Sequence, residues 1–378
     1  MDSQSSLGNS TTHQTSIDEK VDQKKIEKIL IKNINKITIG DDKYSKDIIN
    51  SITSEKKLNF NLNKHEEIFC NSIKNTNYLL KYLTFRYKFR LAGKKKEIFD
   101  YPPYLLIEPV SACNLRCPFC FQADQTFTKK PFMGIMKWDL FKKVVDEADK
   151  IGVGAITFAS RGEPTMHKKL GEMIKYVSKK KNIFEFKLNT NGTFLNEELC
   201  HQIFQSKITQ VVISADHYIK EDYERLRKGS NFEDTVKKTD LLYSIRKKHY
   251  KNSTTEIRIS GVDNDKDLDR KKFKEFWKKR SDHVSATFPY QRWNTYKNSL
   301  HPEINDACEN FWDRMYVWFD GKVNPCDADY KSYLSYGDLN NNSILEVWNS
   351  KKVNQFRKLH LDGKRKDIDP CNKCGKTF

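Results

Sequence analysis

The sequence predicts an α/β fold: a partial barrel of six β/α units, a mostly helical or disordered extension ahead of it, and a small α+β domain behind it. Three observations lead there. Short apolar runs recur at 104–110, 155–159, 184–188, 210–215, 256–260 and 284–288. Between most of them lie amphipathic stretches of helical period, such as Leu140, Phe141, Val144, Val145 and Ala148. The last eighty or so residues change pattern, to a hairpin followed by a helix. Strands alternating with helices argue a parallel sheet with right-handed crossovers, whose ligand sites lie at the strands' C-terminal ends.

Taken in order, the 378 residues divide into four stretches. Residues 1–25 are rich in Ser, Thr, Gln and Asp without an apolar period and read as a disordered tail. Residues 26–98 alternate short Ile/Leu patches with Lys and Asn, are helical at least over 78–91, and carry no identifiable chemistry. The barrel occupies 99–300. The tail domain, 301–378, opens with two strands over 314–326 around the turn Asp320-Gly321. Ser343 and Glu346 then form a capping-box start for a helix through Leu361, and the chain closes on Cys371-x-x-Cys374.

Composition excludes several classes. With 37% hydrophobic, 12% aromatic and 31% charged residues, the chain is neither fully disordered nor collagen-like. No uncharged apolar run reaches the roughly 18 residues needed to span a bilayer, so no membrane partner is expected. Residues 1–16 lack the basic head and apolar stretch of a signal peptide, which implies a cytoplasmic protein with reduced thiols. The net charge of +18 would favour anionic partners, but the Lys excess runs through every segment; it reads as a solvated surface, and nucleic acid is not expected as a partner. Seven of the nine cysteines fall into two groups, and disulfides are not expected. Cys70 and Cys200 stand alone on helix-like stretches, as small apolar fillers.

The first group, Cys113-x-x-x-Cys117-x-x-Cys120, lies in the loop after the first barrel strand, where such barrels keep their chemistry. Three thiolates in so short a span can hold a [4Fe-4S] cluster by three irons and leave the fourth open. Zinc would want a fourth ligand and usually paired knuckles, so the spacing favours iron–sulfur over zinc. The run from Cys113 through Arg116, Pro118 and Phe119 to Cys120 resembles the radical S-adenosylmethionine (SAM) enzymes, including the aromatic residue before the third Cys. The resemblance implies that Cys113, Cys117 and Cys120 hold the cluster. It further implies that the open iron chelates SAM, and that one electron, from a reductant such as flavodoxin or ferredoxin, cleaves SAM to a 5′-deoxyadenosyl radical.

Further matches follow in order. Gly162-Glu163-Pro164 looks like the family's G-G-E-P loop, whose carboxylate and carbonyl oxygens receive the ammonium of SAM; the first Gly is Arg161 here, which should make the loop less permissive because only Gly visits positive φ cheaply. Asn189-Thr190-Asn191-Gly192 ends the third strand and Ser214-Ala215-Asp216 the fourth, where related enzymes contact the SAM ribose and carboxylate. The resemblance accordingly implies SAM contacts at Phe119, Gly162, Glu163, Pro164, Asn189, Ser214 and Asp216. Arg225 or Arg227 on the next helix could pair with the SAM carboxylate, and Arg227 is the candidate taken.

The second group is Cys308, Cys326, Cys371 and Cys374. By spacing alone a four-thiolate zinc site competes evenly with iron–sulfur. The surrounding Asp320-Gly321, Gly337-Asp338-Leu339, Ser343-Ile344, Trp348 and His360 resemble the SPASM/twitch extension of radical SAM enzymes. Four cysteines look like its shorter twitch form, implying one fully ligated auxiliary [4Fe-4S] cluster, suited to passing electrons rather than binding substrate. Between barrel and tail, 289–294 is similar to an aromatic segment of those enzymes, and its Tyr290 and Arg292 are candidates for touching substrate or taking a proton. The resemblance leaves two substrate classes: the secondary alcohol of a sugar or aminocyclitol, oxidised by two electrons, or a ribosomally made peptide. The missing strand pattern in 26–98, where peptide maturases often carry a grasping domain, favours the small molecule.

Overall fold

A computed structural model describes residues 21–263, 268–287, 294–300 and 304–375. These form two compact units, 21–97 and 98–375. The long elements described in the first unit are all helices: α1 (Lys24–Lys32), α2 (Lys43–Ser54), α3 (Lys64–Ser72) and α4 (Thr76–Lys95). Its core is a set of apolar side chains at helical spacing, including Ile26, Leu30, Ile48, Ile52, Leu79 and Leu83. Asn63 and Glu66 close a capping box on α3, and the same buried Glu66 carboxylate pairs with Arg86 and with Arg90 at 2.6 Å.

The second unit carries six parallel strands in sequential order: β1 (Tyr104–Ile107), β2 (Ala155–Phe158), β3 (Glu185–Thr190), β4 (Gln210–Ser214), β5 (Glu256–Val262) and β6 (His283–Thr287). Between them run α5 (Trp138–Ile151), α6 (Leu170–Val177), α7 (Glu197–Phe204), α8 (Lys220–Leu226), α9 (Phe232–His249) and α10 (Arg270–Lys278). All six expected strands are present. Helix α5 buries the predicted stripe of Leu140, Phe141, Val144, Val145 and Ala148 and ends at Gly152, whose φ of 93° only glycine adopts cheaply.

The strands are not uniformly apolar, although all-parallel sheets usually are. Ile156, Phe158, Phe186, Leu188, Val211, Ile213, Ile257 and Ile259 form one fully buried face toward the helices, and Phe158 meets Phe141 of α5 edge-on at 5.9 Å. The alternate positions are mostly polar: Thr157, Glu185, Lys187, Asn189, Gln210, Glu256, Arg258 and Ser285 share the inner face with Ala155 and Val212. The barrel interior is therefore a polar lumen under the strand ends that bear the cysteine loop.

The tail was expected as a hairpin and one helix with a domain boundary near 300. Its strands β7 (Met315–Val317), β8 (Lys322–Asn324) and β9 (Gly337–Asp338) instead continue the barrel sheet, with β7 lying parallel against β1 and β8 antiparallel to β7. Gly321 turns the hairpin at φ 88°. The four-residue α11 (Asn310–Asp313) precedes it. The single helix expected from Ser343 to Leu361 is two, α12 (Ile344–Trp348) and α13 (Lys351–Leu361). The capping box on Ser343 forms as predicted, but Ser350 caps a second start, because its hydroxyl accepts the Val353 N–H better than a helix interior would use it.

One buried ion pair clamps barrel to tail. Arg161 reaches both oxygens of Glu108, at 2.7 and 2.5 Å, donates to the Tyr330 carbonyl at 2.8 Å, and lies over the Trp318 ring at 4.2 Å. Both partners are almost wholly buried. Breaking such a pair on one side leaves an uncompensated charge, so Arg161→Met should lower unfolding free energy by about 3–5 kcal/mol, read by chemical denaturation. A loss below about 1 kcal/mol would show that the clamp does not hold the two parts together.

Candidate functional site

The loop after β1 carries the first three thiols to the mouth of the lumen. Cys117 is buried, while Cys113 and Cys120 are partly exposed. Cys113 Sγ accepts the Leu115 N–H at 3.4 Å and an Asn191 amide N–H at 3.8 Å. Burial pushes the Cys113 thiol up to about 12, with Glu163, Cys120 and Cys117 adding to it, and Cys117 up to about 11 against the pull of Arg227. The three thiols thus sense one another across the loop. Burial disfavours the thiolates of Cys113 and Cys117, which become good ligands where a positive group repays that cost, as the iron of an iron–sulfur cluster would.

The loop after β2 is stitched to this one. The Glu163 N–H donates to the Ala112 carbonyl at 2.9 Å. A Cβ on Gly162 would overlap the Val110 and Ala112 carbonyls, so Gly is needed there for close approach. The positive φ expected to strain Arg161 falls one residue earlier, on Ser160 at 105°, so that Arg161 keeps ordinary backbone and serves as the clamp. Glu163 itself is buried. Its carboxylate accepts from Thr165 N at 3.1 Å and Oγ1 at 2.5 Å, Thr190 Oγ1 at 2.7 Å and Asn191 N at 2.7 Å, tying the β2 loop to the end of β3. Burial raises its pKa while these bonds oppose the rise. Pro164 opens the short turn that follows.

Asn191 completes the frame: its amide also donates to Asn114 Oδ1 at 2.9 Å, and its oxygen accepts from Thr193. The motif 189–192 stood out in the sequence through Asn189, but it is Asn191 that touches Cys113, whereas Asn189 stands half-buried on the lumen face. Ser214 ends β4, and the buried Asp216 accepts the Val262 N–H at 2.8 Å and pairs with Arg227 at 2.5 Å. Arg227 also lies 5.8 Å from the Phe119 ring centre, so Phe119, Cys117, Asp216 and Arg227 form one cluster. Arg225 points elsewhere and pairs with Asp222 at 2.9 Å. Tyr290 and Arg292 lie outside the described residues.

The four tail thiols form the second site. Cys308, Cys326, Cys371 and Cys374 line one pocket, shared with Asp329 and Arg365. Burial holds the Cys326 and Cys371 thiols well above their ordinary range, and the neighbouring cysteines push them further. The Cys308 N–H donates to His360 Nδ1 at 3.2 Å. Among the described residues no three His, Cys, Asp or Glu form a ready site for a single metal ion. Four thiols lining one pocket suit a [4Fe-4S] cluster, with one thiol for each iron.

An aromatic cluster links the two sites. Phe121, next to Cys120, stacks on Tyr330 at 5.3 Å; Tyr330 meets Tyr296 at 4.9 Å; and the Tyr296 hydroxyl donates to Asp329 at 2.8 Å. Tyr330 and Lys331 also grip Asp124 of the cysteine loop, each at 2.9 Å. Nothing in the local sequence signals this link, since its halves lie some two hundred residues apart.

If Glu163 positions the SAM ammonium, Glu163→Ala should weaken SAM binding about ten- to a hundredfold, from loss of a charge-assisted bond and of the frame that aligns the loop. Equilibrium binding on cluster-loaded protein reads this; an unchanged dissociation constant counts against the loop's role.

Known proteins supply a comparison. The Radical SAM superfamily model matches residues 107–276, and the SPASM iron–sulfur cluster-binding domain matches 308–375. A cofactor-modifying protein for tungsten-containing aldehyde ferredoxin oxidoreductase from Pyrococcus furiosus is 36% identical over 114 residues, 30% of each chain. A GTP 3′,8-cyclase of Clostridium botulinum is 28% identical over 162 residues, 43% of this chain and 49% of that protein. The chain thus spans less than half the length of these curated relatives. Among solved structures, Streptococcus suis SuiB bound to precursor peptide SuiA covers 92% of this chain and 82% of its own, with TM-score 0.57 and 16% identity. BtrN in complex with AdoMet and 2-DOIA covers 74% and 94%, with TM-score 0.51 and 18% identity. At these identities the likeness is one of fold.

Proposed function

From the premise that this chain belongs to the radical SAM superfamily and carries a SPASM iron–sulfur cluster-binding domain, we propose that it oxidises a secondary alcohol of a small sugar- or aminocyclitol-like molecule by two electrons. The observation that carries this reading is the second, four-thiol cavity in the same compact unit as the triad. Its thiol set would fill every coordination position of one cluster and leave none for substrate, which suits an electron acceptor. When bound, the triad's cluster and SAM supply the 5′-deoxyadenosyl radical that takes a hydrogen atom from the alcohol carbon. One proton and one electron then remain to be removed.

This chain's residues divide the work as follows. Cys113, Cys117 and Cys120 hold the reducing cluster, and Asn191 and the Leu115 N–H steady the Cys113 sulfur. Glu163 fixes the loop that meets the SAM ammonium. The Asp216–Arg227 pair walls the site beside Phe119. Cys308, Cys326, Cys371 and Cys374 hold the auxiliary cluster that receives the electron. That the elements among the described residues of 21–97 are helices, with no strand, supports a small-molecule substrate over a peptide.

The test is anaerobic turnover of cluster-loaded protein with a protease-treated small-molecule extract. 5′-Deoxyadenosine should accumulate in step with a product two mass units lighter than a consumed alcohol. If only the peptide fraction stimulates SAM cleavage, the small-molecule reading fails.

A further inference from the structure

Among the described residues, the barrel interior holds one guanidinium without a carboxylate hydrogen-bond partner, that of Arg258. Arg258 lies in β5, where the odd-numbered residues face outward: Ile257 and Ile259 are fully buried, and a Cβ on Gly261 would sit 3.0 Å from Phe273 of α10. Arg258 therefore faces inward. Its register is informative. It pairs with Val212, the third residue of β4, and with His283, the first residue of β6, so Arg258 stands in the N-terminal half of these strands, in the barrel interior below the loops at their C-terminal ends.

The other inward-facing ionic groups have partners. Lys187 lies 3.4 Å from Glu185, Arg314 is held by Asp313 at 2.6 Å, and Glu256 accepts from Gln210. Outside the lumen, Arg161 and Arg227 are likewise held by Glu108 and Asp216. Arg258 is 8% exposed, and among the described residues its side chain has one hydrogen-bond acceptor, the neutral Ser285 hydroxyl, at 2.8 Å from Nη2 and 3.3 Å from Nε. A guanidinium has five N–H donors in a planar fork. Burial lowers its pKa, and the attraction of Glu256 does not restore it. A buried charge in this condition is costly unless an anion completes it.

We propose that Arg258, presented by Ser285, receives an anionic group of the substrate, a phosphate or a carboxylate, through the paired N–H donors that match such oxyanions. The inference deepens the reading above: the alcohol to be oxidised would belong to an acidic small molecule, such as a sugar phosphate or sugar acid, anchored in the lumen below SAM. The neutral remainder of the molecule would then point toward the strand ends.

The test needs no turnover, so it stands or falls apart from the oxidation reading. Cluster-loaded wild type, Arg258→Gln, Arg258→Lys and Ser285→Ala are titrated with inorganic phosphate, with acetate and, separately, with SAM, by calorimetry under anaerobic conditions. Wild type should bind phosphate or acetate saturably, and whichever binds identifies the oxyanion. Arg258→Gln should weaken that binding at least tenfold, Arg258→Lys less, because the charge remains without the fork, and Ser285→Ala only slightly. SAM affinity should change less than twofold in all three variants. An equal loss in every variant, with a lowered thermal transition, would overturn the assignment by showing a structural effect. So would unaltered anion binding in Arg258→Gln, or no anion binding by wild type. A tenfold loss of SAM affinity in Arg258→Gln would overturn it too, since the guanidinium would then serve the SAM carboxylate.

Discussion

Replacing any one of Cys113, Cys117 and Cys120 with Ala should reduce 5′-deoxyadenosine formation under strong reductant to background. The expectation follows from valence: three thiolates hold three irons, and two cannot keep the cluster in a loop that supplies no replacement, because Asn191 and the Leu115 N–H reach Cys113 as donors, not ligands. Iron content should fall from about eight to about four per chain, the tail cluster remaining. The fold should survive, since the loop is also held by Glu163 N–H on the Ala112 carbonyl and by Asp124 against Tyr330 and Lys331. Chromatography of the nucleoside product decides the matter; wild-type levels from any of the three variants would remove the triad from SAM cleavage.

Changing Cys371 and Cys374 together to Ala should separate SAM cleavage from product formation. Both residues lie at the last short turn of the chain, beyond β7, β8 and β9, so the strands that join the tail to the barrel sheet keep their hydrogen bonds. The barrel thiols are untouched, and SAM should still be cleaved. Without an acceptor for the second electron, substrate oxidation should drop at least a hundredfold while 5′-deoxyadenosine continues to form. A folded double variant that oxidises substrate at the wild-type rate would falsify the electron-accepting role. Loss of both activities with a collapsed thermal transition would reduce the second site to a staple for the tail.

How much of this was legible in the sequence follows from how local each feature is. The six strands, the Asp320-Gly321 hairpin and the Ser343 capping box depend on residues within a few positions of one another, and all appear where periodicity and turn chemistry placed them. The triad Cys113, Cys117 and Cys120 could likewise be read from spacing, because closure of a short loop brings its thiols together in almost any fold, whereas Cys308, Cys326 and the Cys371–Cys374 pair are gathered only by the packing of the tail. Tertiary structure alone decided what depends on strand register. Arg161 looked like a flaw in a glycine loop, yet it is the buried partner of Glu108, 53 positions away. The Asn191 contact with Cys113 spans 78 positions, and the aromatic link from Phe121 to Tyr330 spans the whole barrel. Arg258 sat unnoticed inside an apolar run. A charged residue at an alternate strand position was the available signal, but only the pairing of β5 with β4 and β6 sets its depth, and only packing shows that among the described residues no carboxylate hydrogen-bonds to it. Local chemistry is written in neighbouring residues; the partners of a buried charge are chosen by the sheet that brings distant strands side by side.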